Sequence, residues 1–465
     1  MSVLLRGMVT AAAIAAFCIA PARAQHGASA SNMALLGQQD LQGRSAYQPV
    51  VQQQGARWIA YIGHHGGSLL NSLTGKREDN GTSIVDVTDP RAPRYVAHIP
   101  GEPGSGETGG AQMVRVCAGK DLPRGERSKF YLLRTFGNQA HEVWDVTTPE
   151  KPARVAVVVD KLKGTHKNFW ECDSGIAYLV SGLHDWRTRR MTQIYDLSDP
   201  AKPVFIRNFG LVGQQPGATG PVPTELHGAI STGPKGNRVY FGYGTNKAGI
   251  LQIVDRQKLL SGPREATAEN LLFPQISAFH LPETNGAHTV LPVLGMNLPE
   301  FARDKAGAKR DFVFIVDESL ANECQETRQM VFVADVTDEK NPVGVATFNV
   351  PEASGDFCSR GGRFGSHSSN EHQPKLYAGK TLFFAWFNAG VRAVDIRDPY
   401  HPREIGYYIP ATNENTDRRC VKTEQGERCK IAIQTNNVEV DDRGYIYIVD
   451  RANTGLHILE LIKKD

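Results

Sequence analysis

The stretch THKNFWECDSGIAYLVSGLHDW opens on His166 and closes on His184, Asp185 and Trp186, and the segments ELHGA, GAHTV and GSHSS carry His227, His288 and His367. Neutral imidazole is a borderline-soft ligand suited to zinc, copper, iron or nickel, and three or four rings from separate elements can hold one ion without a local motif. An open coordination position on such an ion polarises a bound water or oxygen species. Read without an ion, the same rings line a polar channel or cap backbone groups. What decides between these readings is the framework that carries the rings.

That framework repeats. Six segments align: TSIVDVTDPRAPRYVAHIP, HEVWDVTTPEKPARVAVVV, TQIYDLSDPAKPVFIRNFG, LQIVDRQKLLSGP, VFVADVTDEKNPVGVATFN and VRAVDIRDPYHPREIGYYIP. Each reads as a strand ending in an aspartate (Asp86, Asp145, Asp196, Asp255, Asp335, Asp395), then a turn, then a second strand. Asp or Thr caps the turn backbone, and the prolines stiffen the reversal and exclude helix. A second hairpin precedes each copy, giving four strands per unit. The aspartates lie 59, 51, 59, 80 and 60 residues apart, longer than but comparable to the period of propeller blades. The last unit, NNVEVDDRGYIYIVDRANTGLHILELI, supplies three strands, so the segment around Ala34 to Leu41 is expected to complete it and close the ring. The expectation is an all-β, seven-bladed propeller of four-stranded antiparallel blades.

The VDVTDPxxP units resemble the LVIVD-repeat family of secreted bacterial β-propellers over nearly the whole mature chain. The resemblance implies a propeller and says little about chemistry. A more local likeness, in SGLHDWRTRRMTQIYDLSDPAKPV, is to the selenium-binding protein and methanethiol oxidase propellers. Several propeller enzymes hold a metal with histidines at the channel mouth, which adds weight to a metal here.

In an up-and-down blade, the inner strand starts and the second strand ends on the same face. His166, His227, His288 and His367 open the inner strands of blades three to six, and His184 leaves the second strand of blade three, so all five belong to one face. The expected ligands are His166, His227, His288 and His367, with copper, iron or zinc as the ion. His184, Asp185 and Glu371 are expected to orient ligands or move protons. His64, His65 and His141 share that face, as do Asp317, Glu318 and Asn388. His372 is a further candidate at the channel, and Trp186 is the expected substrate wall. His98, His280, His401 and His457 read as surface or packed residues. The segment HSSNEH has neither the spacing nor the helical register of a zinc-protease motif. No phosphate-loop, nucleophile-elbow or C-x-x-C motif occurs, and GSGETGG reads as a linker.

The N-terminal MSVLLRGMVTAAAIAAFCIAPARAQ has the basic start, apolar run and small-x-small ending of a signal peptide. Residues 1–24 are therefore expected to be removed, leaving 25–465 as one exported propeller domain, periplasmic or secreted. Removing Arg6 and Arg23 from 52 basic side chains leaves 50 against 49 acidic ones, so no electrostatic footprint for nucleic acid remains. No later stretch approaches the roughly 18 apolar residues of a membrane span. Six cysteines follow the leader, and the repeat geometry brings together Cys117 with Cys172, Cys324 with Cys358 and Cys420 with Cys429. The function expected is a metal-dependent oxidoreductase acting on a small molecule. The alternatives are a non-catalytic binding or scaffold propeller for a protein or glycan, and a metal-dependent hydrolase or lactonase.

Overall fold

The recurring aspartates build their own turns. Asp86, Asp145, Asp196, Asp335 and Asp395 each accept a hydrogen bond from the backbone N–H two residues on, at between 2.8 and 3.0 Å. This side-chain mimic of a backbone turn reverses the chain into the next strand. Asp255 departs from the pattern: it caps the helix Arg256–Ser261 through the Lys258 N–H at 2.9 Å. The outer strand Gln275–His280 follows only after a second short helix, Ala268–Leu272.

The computed structural model describes residues 27–302 and 309–463. The expected leader, residues 1–24, lies outside the described residues. The strands form seven antiparallel blades spanning 46–99, 114–159, 168–209, 226–280, 289–348, 368–409 and 435–461. The inner strands touch in sequence around the ring, and the seventh returns to the first. This is a seven-bladed β-propeller, as the repeats predict.

Ring closure falls where expected, with a shift in its bounds. Met33–Gln39 pairs antiparallel with Leu456–Leu461, Met33 lying opposite Leu461. Leu41 leaves the strand for a 3-10 turn and is buried between blades seven and one. The N-terminal segment also does something unforeseen: Ser29–Ser31 adds a fifth strand to blade six by pairing with Arg403–Ile409.

Middle strands are apolar on both faces because each face meets another blade. Between blades five and six, Phe312, Phe314, Phe348, Phe384 and Trp386 form one buried cluster. Each such side chain contributes roughly 1.5–3 kcal/mol relative to exposure. The three expected cysteine pairs are all disulfides. GSGETGG is not a linker: Gly106–Ala111 pairs with the end of Arg57–Gly66. Glycine is required at 110, where φ is +78° and an added Cβ would lie 2.3 Å from the His64 carbonyl.

The closing strand offers a direct test. A Cβ on Gly37, at the irregularity in that strand, would lie 2.2 Å from the Pro90 carbonyl in blade one. Gly37→Ala is expected to lower stability by about 1–3 kcal/mol, read as a lower urea midpoint; an unchanged midpoint would show that the closure tolerates slack.

Candidate metal centre

Four inner strands bring their first polar residue to the channel axis. His166 precedes Asn168–Trp170, His227 lies in Leu226–Ser231, His288 precedes Thr289–Asn297, and His367 precedes Ser368–Ser369. All four rings are buried. Successive rings stand in contact, with centroids 4.5 Å apart for His166 and His227, 3.6 Å for His227 and His288, and 4.4 Å for His288 and His367. The convergence expected from the repeat alignment is present, but beneath the surface rather than at an open mouth.

Hydrogen bonds fix which nitrogen faces inward. His227 Nδ1 donates to the His288 carbonyl at 3.0 Å, and His367 Nδ1 donates to the Asn436 carbonyl at 2.5 Å. A carbonyl only accepts, so Nδ1 keeps the proton and Nε2 presents its lone pair. His288 Nδ1 lies 3.0 Å from Thr289 Oγ1, which also accepts from Lys167 Nζ at 2.7 Å. Burial drives all four pKa values well below the ordinary histidine range, and cations such as Arg190, Lys167 and Arg451 add to it. The rings are neutral at neutral pH, which is their ligand form.

Two of the inward nitrogens lack partners. His288 Nε2 and His367 Nε2 are buried and make no hydrogen bond. Each sits 3.6 Å from a carboxylate oxygen of Glu318. His166 Nε2 is 2.9 Å from His227 Nε2 and 3.1 Å from the Tyr47 hydroxyl. His227, His288 and Glu318 offer ligand atoms that all lie within 4.8 Å of one another. His166 adjoins this group through His227, and His367 through Glu318.

Above the rings on the same face lies a charged collar. Glu318 Oε1 accepts from Arg363 Nη1 at 3.0 Å and Arg451 Nη1 at 3.4 Å. Arg451 Nη2 lies 2.8 Å from His65 Nε2, and Arg190 Nη2 donates to Glu107 Oε2 at 3.0 Å. Burial raises the Glu318 pKa, with Arg363 and Arg451 opposing it.

Other sequence candidates fall elsewhere. His184 and Asp185 are exposed, and no hydrogen bond or ion pair among the described residues joins either to the four rings. Trp186 is not a cavity wall: it is buried in the core between blades three and four with Met191 and Phe209. Glu371 lies toward the opposite end of the channel, where it accepts from Arg115 Nη2 at 2.5 Å and stands 3.9 Å from Lys167 Nζ. His372 is exposed there beside Asp442, lining a cavity of about 430 Å³ with Arg115 and Glu371. His64 is spent on the Ser45 carbonyl and the Ser83 hydroxyl, and His141 on the Val180 carbonyl. His65 alone of that set reaches the collar.

Tyr47, Glu107, Arg190, Arg363 and Arg451 escape the sequence reading, and Glu318 is placed there only on the right face. A signal did exist. Aligned at the ends of the second strands, YIGHH, FIVDE, FAWF and YIVDR put His65, Glu318, Phe387 and Arg451 at one repeat position in blades one, five, six and seven.

No protein-family model matches the chain, and no curated protein matches it. Among solved structures it is similar to the crystal structure of Sqt1 from Chaetomium thermophilum, with a TM-score of 0.53 at 9% identity, covering 92% of this chain and 98% of that one. At that identity the likeness concerns the fold alone.

The buried rings outside the centre make stability depend on pH. Burial lowers His141 to about 4, the Val180 carbonyl only partly opposing it. The unfolded ring titrates near 6.5, so stability is full above that value and falls as pH drops toward about 4, by ~1.4 kcal/mol per pH unit for the ring. His141→Gln is expected to flatten the urea midpoint against pH in that window by one ring's share; an unchanged slope would contradict a buried neutral His141.

Proposed function

We propose that the protein is an exported metalloprotein, an oxidoreductase acting on a small molecule at the buried histidine centre. The observation that carries this is the pair of buried, unpartnered nitrogens, His288 Nε2 and His367 Nε2, beside His227, whose Nε2 lone pair is fixed inward by its Nδ1 bond. Leaving buried polar atoms unpaired costs about 1–3 kcal/mol each, and a cation among them would relieve that cost. His166, His227, His288 and His367 would hold the ion, with Glu318 beside them, and imidazole favours copper, iron or zinc. A redox-active ion bound there would supply one-electron chemistry.

This chain's own residues would do the rest. The ring contacts hold the imidazoles in place, Tyr47 offers a hydroxyl to His166, and the collar shields the centre from bulk water. Burial of the rings favours a small molecule over a macromolecular partner, because a protein or glycan surface is too large to enter beneath the collar. The VDVTDPxxP turns support kinship with the LVIVD-repeat propellers, and three disulfides with the apolar leader support export.

Elemental analysis of untagged protein is expected to give about one equivalent of transition metal. His227→Ala with His288→Ala should abolish it while far-ultraviolet circular dichroism still reports the propeller. Glu318→Gln, nearly isosteric, should weaken retention against a chelator by about 10-fold or more. Metal-free wild type, isolated without chelator and supplied with copper, iron and zinc salts, would overturn the reading.

A further inference from the structure

The collar holds more positive charge than it neutralises. Arg190, Arg363 and Arg451 face Glu107 and Glu318 over Tyr47 and His65, and Arg419, itself paired with Asp417 at 3.5 Å, stands behind them, its Nη2 donating to the Arg451 carbonyl at 3.1 Å. One carboxylate oxygen of Glu318 serves both Arg363 and Arg451. Among the described residues, Arg363 Nε and Nη2 make no hydrogen bond, and its side chain is 24% exposed. Burial first, then Arg451 beside it, lowers the Arg363 pKa to about 10, which still leaves the guanidinium charged at neutral pH.

Phe387 sets this arrangement. Arg363 and Arg451 lie over its ring at 5.3 and 5.8 Å, while the ring also contacts His367 at 4.9 Å between centroids. Its backbone φ is +34°, a region that a bulky residue enters at a cost of about 1–3 kcal/mol. Two like-charged guanidiniums are thus held side by side next to a would-be metal ligand. Planar, forked donors with an excess positive charge are the chemistry that recognises carboxylates and related oxyanions.

We propose that the collar of Arg190, Arg363 and Arg451 binds a small oxyanion, a carboxylate in the simplest case, and that the molecule handled at the histidine centre is anionic. The binding stands on the collar alone; the consequence for chemistry rests on the metal reading above. Glu107, whose side chain is 40% exposed, marks the solvent side of the collar.

The test is calorimetric titration of sodium acetate and sodium propionate into the protein as isolated and after chelator treatment, at constant ionic strength. Ethylene glycol and ethanolammonium serve as neutral and cationic controls. Saturable carboxylate binding is expected in both preparations, weakened about tenfold or more in Arg363→Gln and less in Arg363→Lys. The partial exposure of Arg363 lets the fold tolerate these changes, which circular dichroism verifies. No saturable binding, equal binding of the controls, or equal affinity in Arg363→Gln overturns the proposal. Metal content of the same samples separates the two readings: metal without carboxylate binding sinks the collar alone, and carboxylate binding by a protein that takes up no metal sinks the centre alone.

Discussion

A buried imidazole sheds its proton, and four in mutual contact enforce that on one another. The channel is arranged around this constraint. Two of the rings place the one proton they keep on inner-strand backbones: the His288 carbonyl for His227 and the Asn436 carbonyl for His367. Such acceptors lie in register only because seven inner strands start at one level and touch around a closed circle. The sequence-level cause is the repeat itself, whose aspartate turns reverse the chain in five of the seven blades.

The channel is polar along its length, in layers of different character. Guanidiniums and carboxylates form the upper layer, neutral rings the next, and below them Lys167, Thr289, Glu371 and Arg115 join hands across the axis. Removing one member of a buried charged set commonly costs about 3–5 kcal/mol, so this stack is a liability for folding. The inter-blade clusters carry the stability that lets it persist.

The blades and the histidines were legible for the same reason: each is a repeated sign. Asp86 and its counterparts recur with their turn chemistry, and the four histidines recur as one residue type at one inner-strand position. Part of the collar was not legible because Glu318 and Arg451 share a position with His65 and Phe387 without sharing a chemistry. His65, Glu318, Phe387 and Arg451 are a base, an acid, an aromatic and a cation, and only the pairing of strands shows that they meet. Glu107 was hidden by its glycines, whose real purpose is the close approach of Gly110 to His64. His184, Asp185 and Trp186 were misjudged because a shared face does not fix depth: the first two remain in solvent and the indole turns into the gap between blades. Glu371 was drawn to the wrong end by its nearness in sequence to His367.

The two N-terminal strands give the molecule an order of assembly. Ser29–Ser31 lies on blade six and Met33–Gln39 on blade seven, so one short stretch is stitched across two neighbouring sheets. Its partners, Arg403–Ile409 and Leu456–Leu461, lie far downstream in the sequence. Contacts of such sequence separation form late and slowly. Residues 29–39 must therefore stay unpaired until residues 403–461 exist, and until then the histidines have no circle to meet in.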